Sequence, residues 1–192
     1  MRIGIFGGTF NPPHVGHLIV AEHAREDVGL NKVVFVPSAI PPHKQDHEIV
    51  SPLHRLEMVR LAIAGNPFFE LSDIEIRRGG VSFTVDTLQF FKERFPDDEL
   101  HLLIGMDNLA EFQTWRMPER ILDLAVLVVM RRPAASMHNV EKALMGRTQV
   151  CSVPEIAVSS SEIRRKVWER ESIRYLVPTS VEDYITTNEL YK

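Results

Sequence analysis

Short apolar runs alternate with amphipathic stretches along most of this chain, and the alternation predicts its elements. Apolar or alternating segments at 2–6, 33–36, 71–77, 100–104, 125–130 and 149–153 read as strands; the third alternates and the others are mainly apolar. Between them, helical spacing appears at 16–28, 52–64, 84–94, 117–122 and 140–145. Mainly apolar strands separated by amphipathic helices are the pattern of a parallel sheet covered on both faces, an α/β doubly wound architecture. The last part differs: 159–169 and 181–187 are both helical with no clear strand between them, which predicts C-terminal helices that close the fold. Trp168 falls on the apolar side of these helices and is expected in the core.

Composition narrows the picture only a little. A chain of 192 residues with 44% hydrophobic content can bury a sizeable core, and no break in composition divides it, so one domain over 1–192 is expected. The formal net charge of −4, with no basic cluster interleaved with aromatics, argues against a nucleic-acid scaffold but leaves room for a small anion. A single cysteine, Cys151, excludes an internal disulfide framework; it lies in a strand pattern and reads as a buried structural thiol. No signal-peptide pattern opens the chain, and the longest apolar run, 124–130, is too short to span a bilayer, so a cytoplasmic protein without membrane contact is expected.

In an open parallel sheet, ligands bind beyond the carboxyl ends of the strands. The segment leaving the first strand is Gly7-Gly8-Thr9-Phe10-Asn11-Pro12-Pro13-His14-Val15-Gly16-His17, glycine-rich and leading into a helix, which suits an anion such as phosphate. Neither G-x-x-x-x-G-K-[ST] nor G-x-G-x-x-G is present there. His14 and His17 stand instead at a spacing that lets two imidazoles point the same way, with Gly16 leaving room beside the backbone. A metal pair would need a third ligand that is not evident, and simple helix capping is the plainer alternative.

Other strand exits carry further candidates. Lys44 follows Pro41-Pro42-His43, where prolines restrict the backbone, although a solvated loop lysine is the default and His43 and His47 read as surface residues. Gly105-Met106-Asp107 ends a buried strand, and Asp107 suits an N-cap. Ser159-Ser160-Ser161-Glu162-Ile163-Arg164 has the spacing of a capping box, but a serine-rich helix start with an arginine one turn in is also an anion site, whereas Arg165 and Lys166 read as solvated. Trp115 sits in a polar segment, and an exposed face of it would be a stacking platform.

The string GGTFNPPHVGH, with Pro41-Pro42-His43-Lys44 and the later Ser-Ser…Ile-Arg segment, resembles the HxGH nucleotidyltransferase superfamily and, within it, the bacterial nicotinate mononucleotide adenylyltransferases of NAD biosynthesis. The resemblance implies a Rossmann-like fold and adenylyl transfer from ATP to nicotinate mononucleotide, giving nicotinate adenine dinucleotide and pyrophosphate. It implies His14, His17, Lys44 and Arg164 as the catalytic group. Gly7, Gly8, Thr9, Phe10, Gly105, Asp107, Ser160 and Ser161 would bind ATP, and Thr84 and Trp115 the pyridine mononucleotide. Mg²⁺ would be bound mainly through the ATP phosphates, with no metal site of the protein's own. A homo-oligomer stays open on this sequence, as do transfer to nicotinamide mononucleotide or phosphopantetheine and a nucleotide sensor without catalysis.

Overall fold

The computed structural model describes residues 1–41, 49–131 and 147–192. Six strands, β1 (Arg2–Gly8), β2 (Lys32–Pro37), β3 (Phe69–Leu71), β4 (Glu99–Gly105), β5 (Val126–Arg131) and β6 (Thr148–Ser152), form one sheet in the order β3-β2-β1-β4-β5-β6. Every pairing is parallel. The helices are α1 (Val15–Val28), α2 (Pro52–Ile63), α3 (Ile74–Arg78), α4 (Thr84–Arg94), α5 (Met106–Ala110), α6 (Pro118–Leu124), α7 (Ser160–Trp168) and α8 (Thr179–Thr187). The expected α/β doubly wound parallel sheet with C-terminal helices, Rossmann-like in strand order, is therefore the observed one. The helix expected at 140–145 lies outside the described residues.

Strand pleat distributes the apolar residues to two layers. Ile3 and Ile5 of β1 pack with Leu88 and Phe91 of α4 and Ile121 of α6, whereas Phe6 and the β2 residues Val33 and Phe35 pack with Ala21 and Ala24 of α1. The near-continuous apolar reading of these strands follows, because both faces are covered. A third cluster joins Met58 of α2 to Ile163 of α7 and Val181 and Ile185 of α8, so the C-terminal helices dock on α2 rather than on the sheet.

Two expectations fail here. The third strand does not run through 71–77: it ends at Leu71, and Ile74–Arg78 is a helical turn. The alternation of Ile74 and Ile76 with charged residues imitates a strand, but Asp73 pairs with Arg77 one turn later at 2.8 Å, and Glu75, not an isoleucine, is the buried residue of that turn. Trp168, expected in the core, is 70% exposed. The buried side of α7 is set by Ile163, with Val167 packed beside it, and the next residue is rotated about 100° away, toward solvent.

Candidate functional site

Between β1 and β4 the chain order reverses, and at the carboxyl end of that gap two cavities of about 540 Å³ each open side by side. Thr9 and Asn108 line both. The first cavity is bounded by the β1–α1 loop, the start of α5 and the start of α7; the second lies toward α3, α4 and the segment before α6.

Helix α1 begins in an unusual way. His14 is its N-cap, with extended backbone (φ −140°), and the Nδ1 of His17, three residues on, accepts the His14 backbone N–H at 3.1 Å. His17 thus does what a glutamate or glutamine does in a capping box. Because Nδ1 is used as an acceptor, this bond assigns the His17 ring proton to Nε2. The two imidazoles are stacked with centroids 3.7 Å apart, and the edge of Phe10 packs on His17 at 5.1 Å. Capping and ligand donation are therefore compatible in one residue. Gly16 lines the first cavity, and a Cβ there would stand 3.0 Å from the His14 Nδ1, so the glycine also makes room for that ring.

The C-terminal segment closes the first cavity from the other side. Ser159 caps α7, its Oγ accepting the Glu162 N–H at 3.1 Å. Ser160 donates its Oγ–H to the Pro12 carbonyl at 2.8 Å, and Arg164 donates from Nη1 to the Asn11 carbonyl at 3.1 Å. Residues nearly 150 positions apart in sequence are thereby brought to one wall, with Ser161 beside them. Asp107 reaches the same cavity from α5, but it is not the N-cap of that helix; Gly105 is, and Asp107 lies in the first turn.

Of the residues expected around ATP, Thr9, Phe10, Asp107, Ser160 and Ser161 line the first cavity together with His14, His17 and Arg164. Gly7 and Gly8 line the second instead, and Gly105 lines neither. Phe10 is 97% enclosed in the core beneath the loop, with φ 50°. Thr84 and Trp115, expected together, do line one cavity, the second. Trp115 is half-buried, tilted against Phe112 at a centroid distance of 5.5 Å. Lys44, His43 and His47 lie outside the described residues. Cys151 is buried in β6, where burial, reinforced by nearby Asp27, pushes its thiol up to about 12, consistent with the structural reading.

Three supporting residues escaped the sequence reading. Arg55 is fully buried in α2 and donates to the carbonyls of Thr9 (2.8 Å), Ala39 (2.9 Å) and Val50 (3.2 Å), fastening three loops to one guanidinium. Burial pulls its pKa down to about 10, which leaves it charged at neutral pH. Its signal was present: Arg55 occupies the same stripe as Met58, Val59 and Ile63, where an aliphatic residue is expected. Glu75 is buried beside the second cavity and accepts from the Thr87 Oγ1 at 2.6 Å; burial raises its carboxyl above the usual range. Tyr191 donates to the Asn11 Oδ1, and nothing in the local sequence announces it.

Comparison with known proteins bears on this arrangement. The sequence profile of the cytidylyltransferase-like family matches residues 5–166. A probable nicotinate-nucleotide adenylyltransferase from Salinibacter ruber is 39% identical over 192 residues, covering all of this chain and 98% of the relative. The nicotinate-nucleotide adenylyltransferase of Bacillus subtilis is 38% identical over 191 residues, again with full coverage of this chain and 98% of its own. Among solved structures, the nicotinic acid mononucleotide adenylyltransferase of Plasmodium falciparum complexed with NaAD superimposes with a TM-score of 0.79 over 99% of this chain and 97% of its own, at 20% identity. At that identity the likeness speaks to fold alone.

Proposed function

This chain belongs to the nicotinate-nucleotide adenylyltransferases of the cytidylyltransferase-like family, and from that premise we infer that it transfers an adenylyl group from ATP to nicotinate mononucleotide, releasing pyrophosphate. The observation that carries the reading is the joined pair of cavities at the β1/β4 switch point, one lined by phosphate donors and the other by an aromatic platform, with Thr9 and Asn108 common to both. Two substrates held there meet where a phosphate of one can reach the phosphate of the other. The reading treats 1–192 as one cytoplasmic nucleotidyltransferase domain; among the described residues no helix is long and apolar enough to cross a membrane.

The chemistry asks for positioning rather than for a strong base. The attacking phosphate monoester, with a second pKa of about 6, is largely ionised at neutral pH. Its oxygen attacks the α-phosphorus of ATP, the bond to the pyrophosphate oxygen breaks, and negative charge builds on the equatorial oxygens and on the leaving group. In this reading the Nε2–H of His17, His14, Arg164 and the hydroxyls of Ser160 and Ser161 receive that charge, and Lys44 supplies a further cation. Asp107 accepts from ribose hydroxyls, Trp115 stacks on the pyridine ring, and Thr84 contacts the mononucleotide at the start of α4.

Magnesium fits this donor set as a cation carried by the nucleotide. Asp107 is the single carboxylate among the described residues lining the first cavity, where the other polar groups are donors suited to anions. When bound, Mg²⁺ neutralises charge on the triphosphate while keeping several of its waters.

The test is pyrophosphate release from ATP and magnesium with nicotinate mononucleotide, nicotinamide mononucleotide and phosphopantetheine offered separately. Fast release with the nicotinate nucleotide is expected. Silence with all three from folded protein that still binds ATP would favour a nucleotide sensor instead.

A further inference from the structure

We propose that Arg55 is a positioning residue for the transfer step: it holds the walls of the two cavities at one spacing and so keeps the attacking phosphate in line with the α-phosphorus. The proposal rests on the reaction assigned above. Each of the three acceptors of Arg55 belongs to a different part of the site. Thr9, whose carbonyl accepts from Nη1 at 2.8 Å, lines both cavities. Ala39, which accepts from Nη2 at 2.9 Å, stands between Ser38 and Pro41 of the second cavity. Val50, which accepts from Nε at 3.2 Å, follows Ile49 of the first.

The pattern continues outward from the guanidinium on both sides. The Ala39 N–H donates to the Ser82 Oγ at 2.9 Å, and Ser82 lines the second cavity. The Val50 N–H donates to the Asn11 Oδ1 at 3.3 Å, and Asn11 lines the first. Two residues thus carry the position of one side chain into a wall of each cavity. Arg55 is itself fully buried and rises from a helix fixed on two sides: Met58 packs with Ile163, Val181 and Ile185, while Val59 and Ile63 join the layer that contains Ala21 and Ala24 of α1. A group on so rigid an element can act as a fixed point for the loops around it.

The choice of residue type matters. The three nitrogens of a guanidinium lie in one plane, so serving a different loop from each fixes the three loops relative to one another; an ammonium on a flexible stem cannot do this. Arg55 lines neither cavity, so its effect falls on their relative placement rather than on the contacts made to either nucleotide. In-line transfer is sensitive to that placement, since an error of about 1 Å can cost roughly 10²-fold in rate. The transition state joins the contents of both cavities and therefore loses more than either substrate bound alone.

The test measures the single-turnover rate of dinucleotide formation by rapid quench, and the separate dissociation constants of a non-hydrolysable ATP analogue and of nicotinate mononucleotide by calorimetry. The proteins are the wild type, Arg55→Lys, Ser82→Ala and Met58→Ala. Arg55→Lys should lower the single-turnover rate roughly 10- to 100-fold with both dissociation constants near the wild-type values. Ser82→Ala, which removes one onward link and leaves Arg55 in place, should lower the same rate by a smaller factor. Met58→Ala opens a cavity one turn along the same helix and loses stability, yet should keep a near-wild-type rate while folded. An unchanged rate in Arg55→Lys, a loss that lies wholly in weaker binding of either nucleotide, or an equal loss in Met58→Ala overturns the proposal while leaving the reaction intact. Should Arg55→Lys fail to fold, a wild-type rate in Ser82→Ala overturns it. Wild-type protein that forms no dinucleotide overturns both.

Discussion

Tyr191, the penultimate residue, donates its hydroxyl to the Asn11 Oδ1 at 2.9 Å across 180 positions of sequence. The same oxygen accepts the Val50 N–H at 3.3 Å, and the Asn11 carbonyl accepts from Arg164, so one asparagine ties the loop after β1 to three distant segments. Burial raises the Tyr191 phenol above its ordinary range, which keeps it protonated and a donor at any working pH. Tyr191→Phe is expected to cost about 1 kcal/mol of stability in urea unfolding, the usual worth of one such bond, and to raise the KM for ATP. An unchanged midpoint together with an unchanged KM would mean that the loop is held without it.

His17 combines two duties, and they can be separated. Removal of one transition-state donor typically costs about 2.7 to 4 kcal/mol, so His17→Ala should lower kcat roughly 10²- to 10³-fold. The loss of the cap to the His14 N–H should cost only about 1 kcal/mol of stability. Folded His17→Ala with near-normal turnover would remove His17 from the proposed transition-state group.

The sheet was legible because its strands are short apolar runs between helical spacings, and the strand exits could be listed before any contact was known. Most residues of the first cavity were legible for the same reason: His14, His17, Asp107, Ser160 and Arg164 each follow a strand or open a helix. What escaped depends on contacts that no local pattern encodes. Glu75 and Ile76 fit a strand's alternation until tertiary burial selects the glutamate, and Trp168 is apolar but one position off the α7 stripe. Gly7 and Gly8 are the last residues of β1, paired with Val36 and Pro37 of β2, and which cavity the end of a strand lines is decided by tertiary packing that no local pattern encodes.

Arg55 carries a heavier structural burden than its position in a helix suggests. Arg55→Leu would leave the carbonyls of Thr9, Ala39 and Val50 without this donor in a buried setting, and a loss of about 3 kcal/mol or more is expected by chemical denaturation. Arg55→Lys keeps the charge without the planar fork and should fall between the two. A loss below about 1 kcal/mol for Arg55→Leu would indicate that the three carbonyls are satisfied by water.

His101 predicts how the fold responds to acid. Its side chain is fully enclosed in β4, and its Nε2 is 3.5 Å from the Glu99 carboxylate, a weak contact at the limit of a hydrogen bond. Burial, the largest influence, lowers its pKa below 6.5, while Glu99 opposes with a smaller effect. As pH falls through 6.5 the unfolded chain therefore takes up a proton that the native state refuses until lower pH. The unfolded state then binds more protons, so stability falls with falling pH; the contribution of neutral His101 is complete above about 6.5 and is lost below it. Urea unfolding of wild type and His101→Leu between about pH 7.5 and 5 reads this directly, because every other histidine is common to both proteins. The wild type should lose stability more steeply than the variant over that span, and parallel slopes would show that the buried imidazole does not govern the acid limb.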